Sequence, residues 1–268
     1  MARDGFETGD SDAIVEALDR LAPARRASLV ESVIAGTAAS SFAACANLLA
    51  RVGAEWPECT SDLSDAAAQL VNALPGDPAR AMQRPAWHDA AKVDASFVAD
   101  LLTGLCAASE PLAERAVDHL LAWPGTYGLD TVLVPATRTL LAMDASRYAA
   151  VGRLRTACRV HLRARIAEPL TPPADWARPA TVGCHCARCG ELARFLADPE
   201  RKTWALKAVQ ADRSHVEGII KQARCDVDVA TERRGSPHSL VCTKNQASYE
   251  RRAKQRAKDI ENLARLTD

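Results

Sequence analysis

The sequence predicts a mainly α-helical protein in two parts: an N-terminal α-helical array over residues 1–167, and a small α+β module with a β-hairpin over residues 184–268. Three observations carry this reading. Apolar residues recur at three- and four-residue spacing from about residue 11 to 167, with no strand pattern between them. Four prolines then crowd into EPLTPPADWARPATVG, residues 168–183, which reads as a linker. Beyond it, helical spacing alternates with period-two segments.

In the first part DAIVEALDRL, ARRASLVESVIAG, SSFAACANLLARVG, LSDAAAQLVNAL, DASFVADLLTGLCAAS, PLAERAVDHLLAW, TVLVPATRTLLAM and ASRYAAVGRLRTACRVHLRARI each carry an apolar stripe at helical spacing. Asp12, Ser61 and Asp94 are candidate N-caps, since a short side-chain oxygen satisfies an amide that a first helical turn leaves free. Pro23, Pro75, Pro111 and Pro124 fall in gaps or at helix starts, while Pro135 either kinks its helix or marks its first turn. Short helices joined by short connections suggest antiparallel pairs stacked as a HEAT- or armadillo-like solenoid, although no strict sequence period marks a helical repeat.

In the second part ELARFLAD is a short helix opening after Gly190, and RKTWALKAV alternates as a strand with Trp204 and Leu206 on one face. DRSHVEGIIKQA returns to helix with Asp212 as its cap. CDVDVATERRGSPHSLVCTK reads as a β-hairpin: Val227, Val229 and Thr231 alternate with Asp226 and Asp228, Arg234-Gly235-Ser236-Pro237 turns, and SLVCT runs back. SYERRAKQRAKDIENLARL closes the chain as a helix.

Of the 268 residues 48% are hydrophobic and 25% charged, a balance that favours a folded core over disorder. Lys plus Arg and Asp plus Glu are both 34, so no global field draws the chain to nucleic acid, and such binding has to be local. No apolar run approaches the roughly 18–20 residues that span a bilayer, and the polar N-terminus lacks a secretory pattern. The expectation is a cytoplasmic protein without a membrane partner. Its nine cysteines then read as thiols, and Cys45, Cys59, Cys106 and Cys158, scattered through Ala-rich helices, as small core residues.

Three of the remaining cysteines lie within six positions. Cys186-Ala187-Arg188-Cys189-Gly190 fits a zinc knuckle, a turn that aims two sulfurs at one ion, with Gly190 taking the conformation other residues resist. A structural zinc needs four ligands, and Cys184 is the natural third through its Cys-x-Cys spacing. His215, one turn into the helix capped by Asp212 and sharing a face with Ile219 and Ala223, is the best fourth and reads as inward-facing. His185, Cys225 and Cys242 are the alternates. A closed, thiolate-rich set points to structural rather than catalytic Zn2+. The deaminase order, His-x-Glu before Pro-Cys-x-x-Cys, is absent, because His215-Val216-Glu217 follows the cysteines.

Other chemistry is sparse. There is no phosphate-binding glycine loop and no nucleophile elbow. His215-Val216-Glu217 with His238 matches a non-haem iron triad in spacing only, since the module is too short and helical for the fold that triad needs. Trp87-His88-Asp89 places a histidine beside a carboxylate with no nucleophile attached to it. Arg233 and Arg234 in the hairpin turn, Lys244 at the end of the returning strand, and Arg251, Lys254 and Lys258 on the last helix form a candidate phosphate grip.

The string Cys184-x-Cys186-x2-Cys189, followed by LARFLADPERKTWALKA, Asp212-Arg213-Ser214-His215 and TERRGSPHSLVCTK, resembles the C-terminal module of long proteins that carry a prolyl-hydroxylase-like 2-oxoglutarate/Fe(II) oxygenase domain. In those proteins a helical stretch precedes the cysteine cluster, as it does here. The likeness covers about 85 residues and implies no activity for the module; the oxygenase domain itself has no counterpart in these 268 residues. SWIM-type zinc modules also open with Cys-x-Cys, but they close with Cys-x-His after a longer gap. With no catalytic constellation in view, the expected function is a non-enzymatic zinc-containing scaffold or adaptor that binds a protein partner. Nucleic-acid binding through the hairpin and last helix is the alternative, and an accessory or regulatory role in an oxygenase system is the second.

Overall fold

Helical spacing becomes helix almost throughout the first two thirds of the chain. The structure is a computed structural model that describes residues 6–77, 93–178 and 180–267; the Trp87-His88-Asp89 triplet lies outside the described residues. Among these, eleven α-helices and three strands form, in the order α1 (Ser11–Asp19), α2 (Pro23–Thr37), α3 (Phe42–Glu55), α4 (Ser64–Asn72), α5 (Ala95–Ala108), α6 (Glu110–Ala122), α7 (Val134–Ala142), α8 (Ala149–Ala167), α9 (Ala187–Ala197), β1 (Thr203–Lys207), α10 (Gln210–Gln222), β2 (Val227–Glu232), β3 (Ser239–Lys244) and α11 (Ala247–Arg265). None of the helices is long and apolar enough to cross a membrane. The chain divides into one unit of residues 1–165 with 260–268 and a second of residues 166–259. The apolar core divides at the same places.

The first unit is built on α3 and α5, its most extensive helix pair. Phe42, Leu48, Leu49 and Val52 of α3 and Phe97, Leu101, Leu102 and Leu105 of α5 are all buried in one cluster. Gly104 is what allows the approach: a Cβ there would lie 2.8 Å from Leu49 Cγ and 2.9 Å from the Ala50 amide nitrogen. Of the three candidate N-caps, Asp94 acts as one, its carboxylate accepting from the Phe97 N–H at 2.9 Å. Asp12 instead lies in the first turn of α1 and pairs with Arg51, and Ser61 sits inside a 3-10 segment, Pro57–Leu63. Pro135 falls in the first turn of α7, where its missing N–H costs nothing, directly after a π-helical turn at Leu129–Leu133. Cys45, Cys59, Cys106 and Cys158 are buried, and burial pushes the Cys106 thiol up to about 12 and the Cys158 thiol up to about 11. They behave as inert core residues.

In the second unit the hairpin is part of a three-stranded antiparallel sheet of order β1-β3-β2. Strand alternation decides which residues turn inward. Trp204 and Leu206 of β1 stand opposite Cys242 and Leu240 of β3, and all four are buried against Leu192, Phe195 and Leu196 of α9 and Val216 and Ile220 of α10. Gly235, at φ +76°, supplies the left-handed residue of the β2–β3 turn.

Two segments differ from a plain division into array, linker and module. The proline-rich stretch is bonded into the second unit: the Trp176 and Arg178 amides donate to the carbonyls of Pro199 and Leu196 at 2.9 and 2.7 Å, and Ala180 and Val182 pack on the second core. Its prolines stiffen a strap that the adjoining residues fasten down. The end of α11 belongs with the first unit, where Leu266 is fully buried and its carbonyl accepts from Arg155 Nε.

Candidate metal centre

Cys186 is the residue immediately before α9, with extended backbone (φ −68°, ψ 163°), and Cys189 lies in the first turn. This replaces the expected free knuckle. The Gly190 N–H donates to the Cys186 carbonyl at 2.9 Å, an ordinary first-turn helical bond, and Gly190 does not adopt a positive φ. The helix therefore opens before Gly190 rather than after it, and the end of a helix performs the task assigned to a special glycine turn. Two cysteines three residues apart at a helix start face the same side by helical geometry alone.

His215 comes from the second turn of α10, which begins at Gln210, so Asp212 sits inside the helix and is not its cap. Asp212 instead pairs with Arg188 Nε at 3.5 Å, and Arg188 also reaches Glu191 at 3.2 Å. That bridge joins the first turns of α9 and α10. Nor is His215 inward-facing: Val216 and Ile220 form the buried stripe of α10, and the exposed His215 lies beside that stripe at the edge facing the cysteines. Its Nε2 stands 3.3 Å from Cys189 Sγ and 3.6 Å from Cys186 Sγ.

With Cys184 included, one ligand atom from each of Cys184, Cys186, Cys189 and His215 lies within 4.8 Å of the others, a group that could hold a metal ion. Only Cys189 of the four is buried. The alternates His185, Cys225 and Cys242 are not part of the group: His185 is exposed, Cys242 lies in the second core and Cys225 packs against that core. The cluster polarises its own thiols. The Cys189 backbone amide, close to the Cys186 sulfur though outside full hydrogen-bond geometry, together with the Cys189, Cys184 and His215 side chains holds the Cys186 thiol down at about 6. Burial, reinforced by the neighbouring Cys186 and Cys184, pushes Cys189 up to about 12. A cation among the sulfurs would reverse that repulsion, which is why such sets bind metal with release of protons.

The basic residues fare differently. Arg233 and Arg234 are exposed in the hairpin turn, and Lys254 and Lys258 are exposed on α11. Arg251 is exposed but pairs with Asp226 at 3.7 Å. Lys244 is not on the surface: it is 1% exposed, its Nζ donates to the Asp198 carbonyl at 2.6 Å, and it sits 4.5 Å from the centre of the Phe195 ring. Burial pulls its ammonium below the usual lysine range. The alternation that turns Leu240 and Cys242 inward turns Lys244 inward too, so it cannot touch a phosphate.

Charge is also divided between the units in a way the balanced total conceals. Residues 166–259 carry 17 Lys plus Arg against 12 Asp plus Glu, and the rest of the chain carries 17 against 22. Counting by unit is the signal that a whole-chain sum misses.

Compared with protein-family models, with curated proteins and with solved structures, the chain matches none.

Proposed function

We propose that this chain is a non-catalytic, zinc-containing scaffold or adaptor, in which Zn2+ on Cys184, Cys186, Cys189 and His215 fixes the second unit and the helices of the first offer a docking surface for a protein partner. One observation carries the reading: four soft or imidazole ligand atoms meet within 4.8 Å. Four such ligands complete a tetrahedral zinc shell, and a shell completed by protein leaves no position for a substrate. The nearby carboxylates Glu191 of α9 and Asp212 of α10 are both paired with Arg188. The support for a docking surface is the packing of the first unit, in which α1 meets α3, α2 meets α4, α3 meets α5, α4 meets α6 and α5 meets α7 among the described helices. Helices packed on helices in this way leave outer faces that suit extended partners.

The test is elemental analysis of the purified chain together with affinity capture from native lysate. About one zinc per chain and a stoichiometric protein partner are expected. Turnover of a substrate that depends on the bound metal would overturn the reading.

A second reading, contact with nucleic acid, draws on the excess of Lys and Arg in residues 166–259 and on Arg251, Lys254 and Lys258, spaced along exposed α11. Replacing all three by Glu should then weaken binding across sequences alike and flatten its salt dependence. An unchanged affinity would remove this reading.

A further inference from the structure

Strand β2 is an edge of the three-stranded sheet, and the direction of its main-chain groups follows from its register. One step beyond the pair Val227–Lys244, the Asn245 N–H donates to the Asp226 carbonyl at 2.9 Å, so Asp226 and Asn245 form a hydrogen-bonded pair. Bonded and non-bonded pairs alternate along an antiparallel ladder. Asp228–Thr243, Ala230–Val241 and Glu232–Ser239 are therefore the bonded pairs, and the N–H and C=O groups of Val229 and Thr231 point away from β3. Among the described residues nothing bonds to those groups. The opposite edge, β1, carries Lys207 and follows Arg201 and Lys202, the kind of charged edge that discourages a further strand. Val227, Val229 and Thr231 are instead uncharged and β-branched, the residue types that favour pairing.

The same edge has room beside it. A groove of about 700 Å³ lies between β2 and α10, and its apolar lining is Ile220, 3% exposed, Val227, 8% exposed, and the half-buried Cys225 and Val229, which pack against the second core. A residue added opposite Val229 would put its side chain on the same face of the sheet, over that lining. The groove's carboxylates are engaged: Glu217 accepts from Lys221 Nζ at 2.7 Å and Asp228 from Asn245 Nδ2 at 2.9 Å. Arg224 before β2 and Arg233 and Arg234 after it are exposed, and their side chains make no hydrogen bond or ion pair among the described residues. Glu232 belongs to the other face of the sheet by alternation.

Free main-chain donors and acceptors, an apolar lining and unengaged cations at both ends of the strand together specify what fits. We propose that the β2 edge and the groove between β2 and α10 bind an extended segment of a protein partner, which adds a strand beside β2, sets an apolar side chain over Ile220 and Val229, and carries Asp or Glu at its ends. In this mode main-chain hydrogen bonds give affinity and alternate side chains give selectivity. The site deepens the adaptor reading by placing one partner contact on the second unit. None of the four metal-group residues lines it, so a chain that holds zinc and binds no strand would lose this site alone.

The experiment selects a phage-displayed library of random peptides, about eight residues long, on the full chain. Enriched sequences should alternate apolar and polar positions between acidic ends, and their synthetic peptides should bind with a dissociation constant on the order of 10 μM by fluorescence anisotropy. Thr231→Pro is the deciding variant, because the Thr231 N–H points away from β3 and a proline there blocks an incoming strand without removing a ladder bond. It should keep its zinc and an unfolding midpoint close to that of the unaltered chain while weakening the peptides about tenfold or more. N-methylation of alternate peptide amides tests the same bonds without touching the protein: one register should abolish binding and the other should spare it. Selection that enriches no sequence over bare support, undiminished binding to a folded Thr231→Pro protein, or indifference to N-methylation in both registers would overturn the proposal. So would a dimer of the chain that Thr231→Pro dissociates, which would make a second copy the occupant of the edge.

Discussion

His215 Nε2 lies 3.3 Å from Cys189 Sγ, joining the first turn of α9 to the second turn of α10 across 26 residues of sequence. Cys189 is buried, but His215 is exposed and so is Cys186 beside it, so the contact is enclosed on one side only. Without a cation the crowding keeps the Cys189 thiol protonated beside the Cys186 sulfur, and a divalent cation would draw all three sulfurs together. Cys186→Ser and His215→Ala should each reduce zinc from about one per chain to nearly none. Hydrogen exchange should then speed up in α9 and α10 while α3 and α5 stay protected, because the two cores are separate. Zinc retained in His215→Ala would break this account of the site.

How much of this was legible beforehand depends on which physical signal each residue carried. The four metal-group residues were readable because thiols three positions apart and a histidine on a nearby helix are rare for any other purpose. Their local geometry was not readable, since a knuckle turn and a helix N-terminus present Cys186 and Cys189 with the same spacing, and only the Gly190 N–H bond to the Cys186 carbonyl tells them apart. The proline-rich stretch reads as a linker by composition, yet its Trp176 and Arg178 amides are bonded into the second unit, and nothing in the periodicity of α11 says that Ile260 onward packs with the first unit. Lys244 is the instructive case. Its charge suggested a surface, while its position two residues beyond Cys242 already placed it inside.

That position makes Lys244 a test of burial against charge. Its ammonium has a backbone carbonyl and an aromatic face as partners and no carboxylate at ion-pair distance among the described residues. Lys244→Met, which keeps the stem on Phe195 and removes a desolvated charge, should change stability by less than about 1 kcal/mol in either direction. Lys244→Glu turns a donor into an acceptor facing the Asp198 carbonyl and should cost about 3 kcal/mol or more. Chemical denaturation followed by tryptophan fluorescence, to which Trp176 and Trp204 of this unit contribute, reads both. A large loss in Lys244→Met would mean that the ammonium itself holds the sheet to the loop at Asp198.

Gly104 makes the corresponding prediction for the first unit. A methyl group there would meet the Ala50 backbone nitrogen at 2.9 Å and the Leu49 carbonyl carbon at 3.0 Å, atoms that cannot swing aside as a side chain can. Alanine is the better helix former by up to about 1 kcal/mol, so propensity alone predicts that Gly104→Ala stabilises α5. Overpacking against backbone costs about 1–3 kcal/mol and should win. A lower midpoint for loss of helical ellipticity is the expected result, and a rise would show that α3 and α5 have room to part.

Asp130 makes one contribution to the stability of the same unit that is lost in acid. It sits in the π-helical turn before α7, accepts from Arg165 Nη2 at 2.7 Å in a two-pronged contact, and meets His161 Nε2 at 3.0 Å. The Arg165 bonds chiefly, with His161 adding and partial burial opposing, hold its carboxyl below the usual range. A depressed carboxylate contributes stability that is complete above its unfolded value of about 3.9 and disappears as pH falls through the lower folded value. The side chain is 42% exposed, so solvent screening keeps the contribution to about 0.5–1 kcal/mol. Asp130→Asn should therefore lower stability by that amount at pH 7 and by progressively less below pH 4, so that the two proteins converge in acid. The check is a pair of urea titrations at pH 7 and near pH 3: a difference that persists undiminished at pH 3 would assign the effect to the packing of the turn rather than to the charge of Asp130.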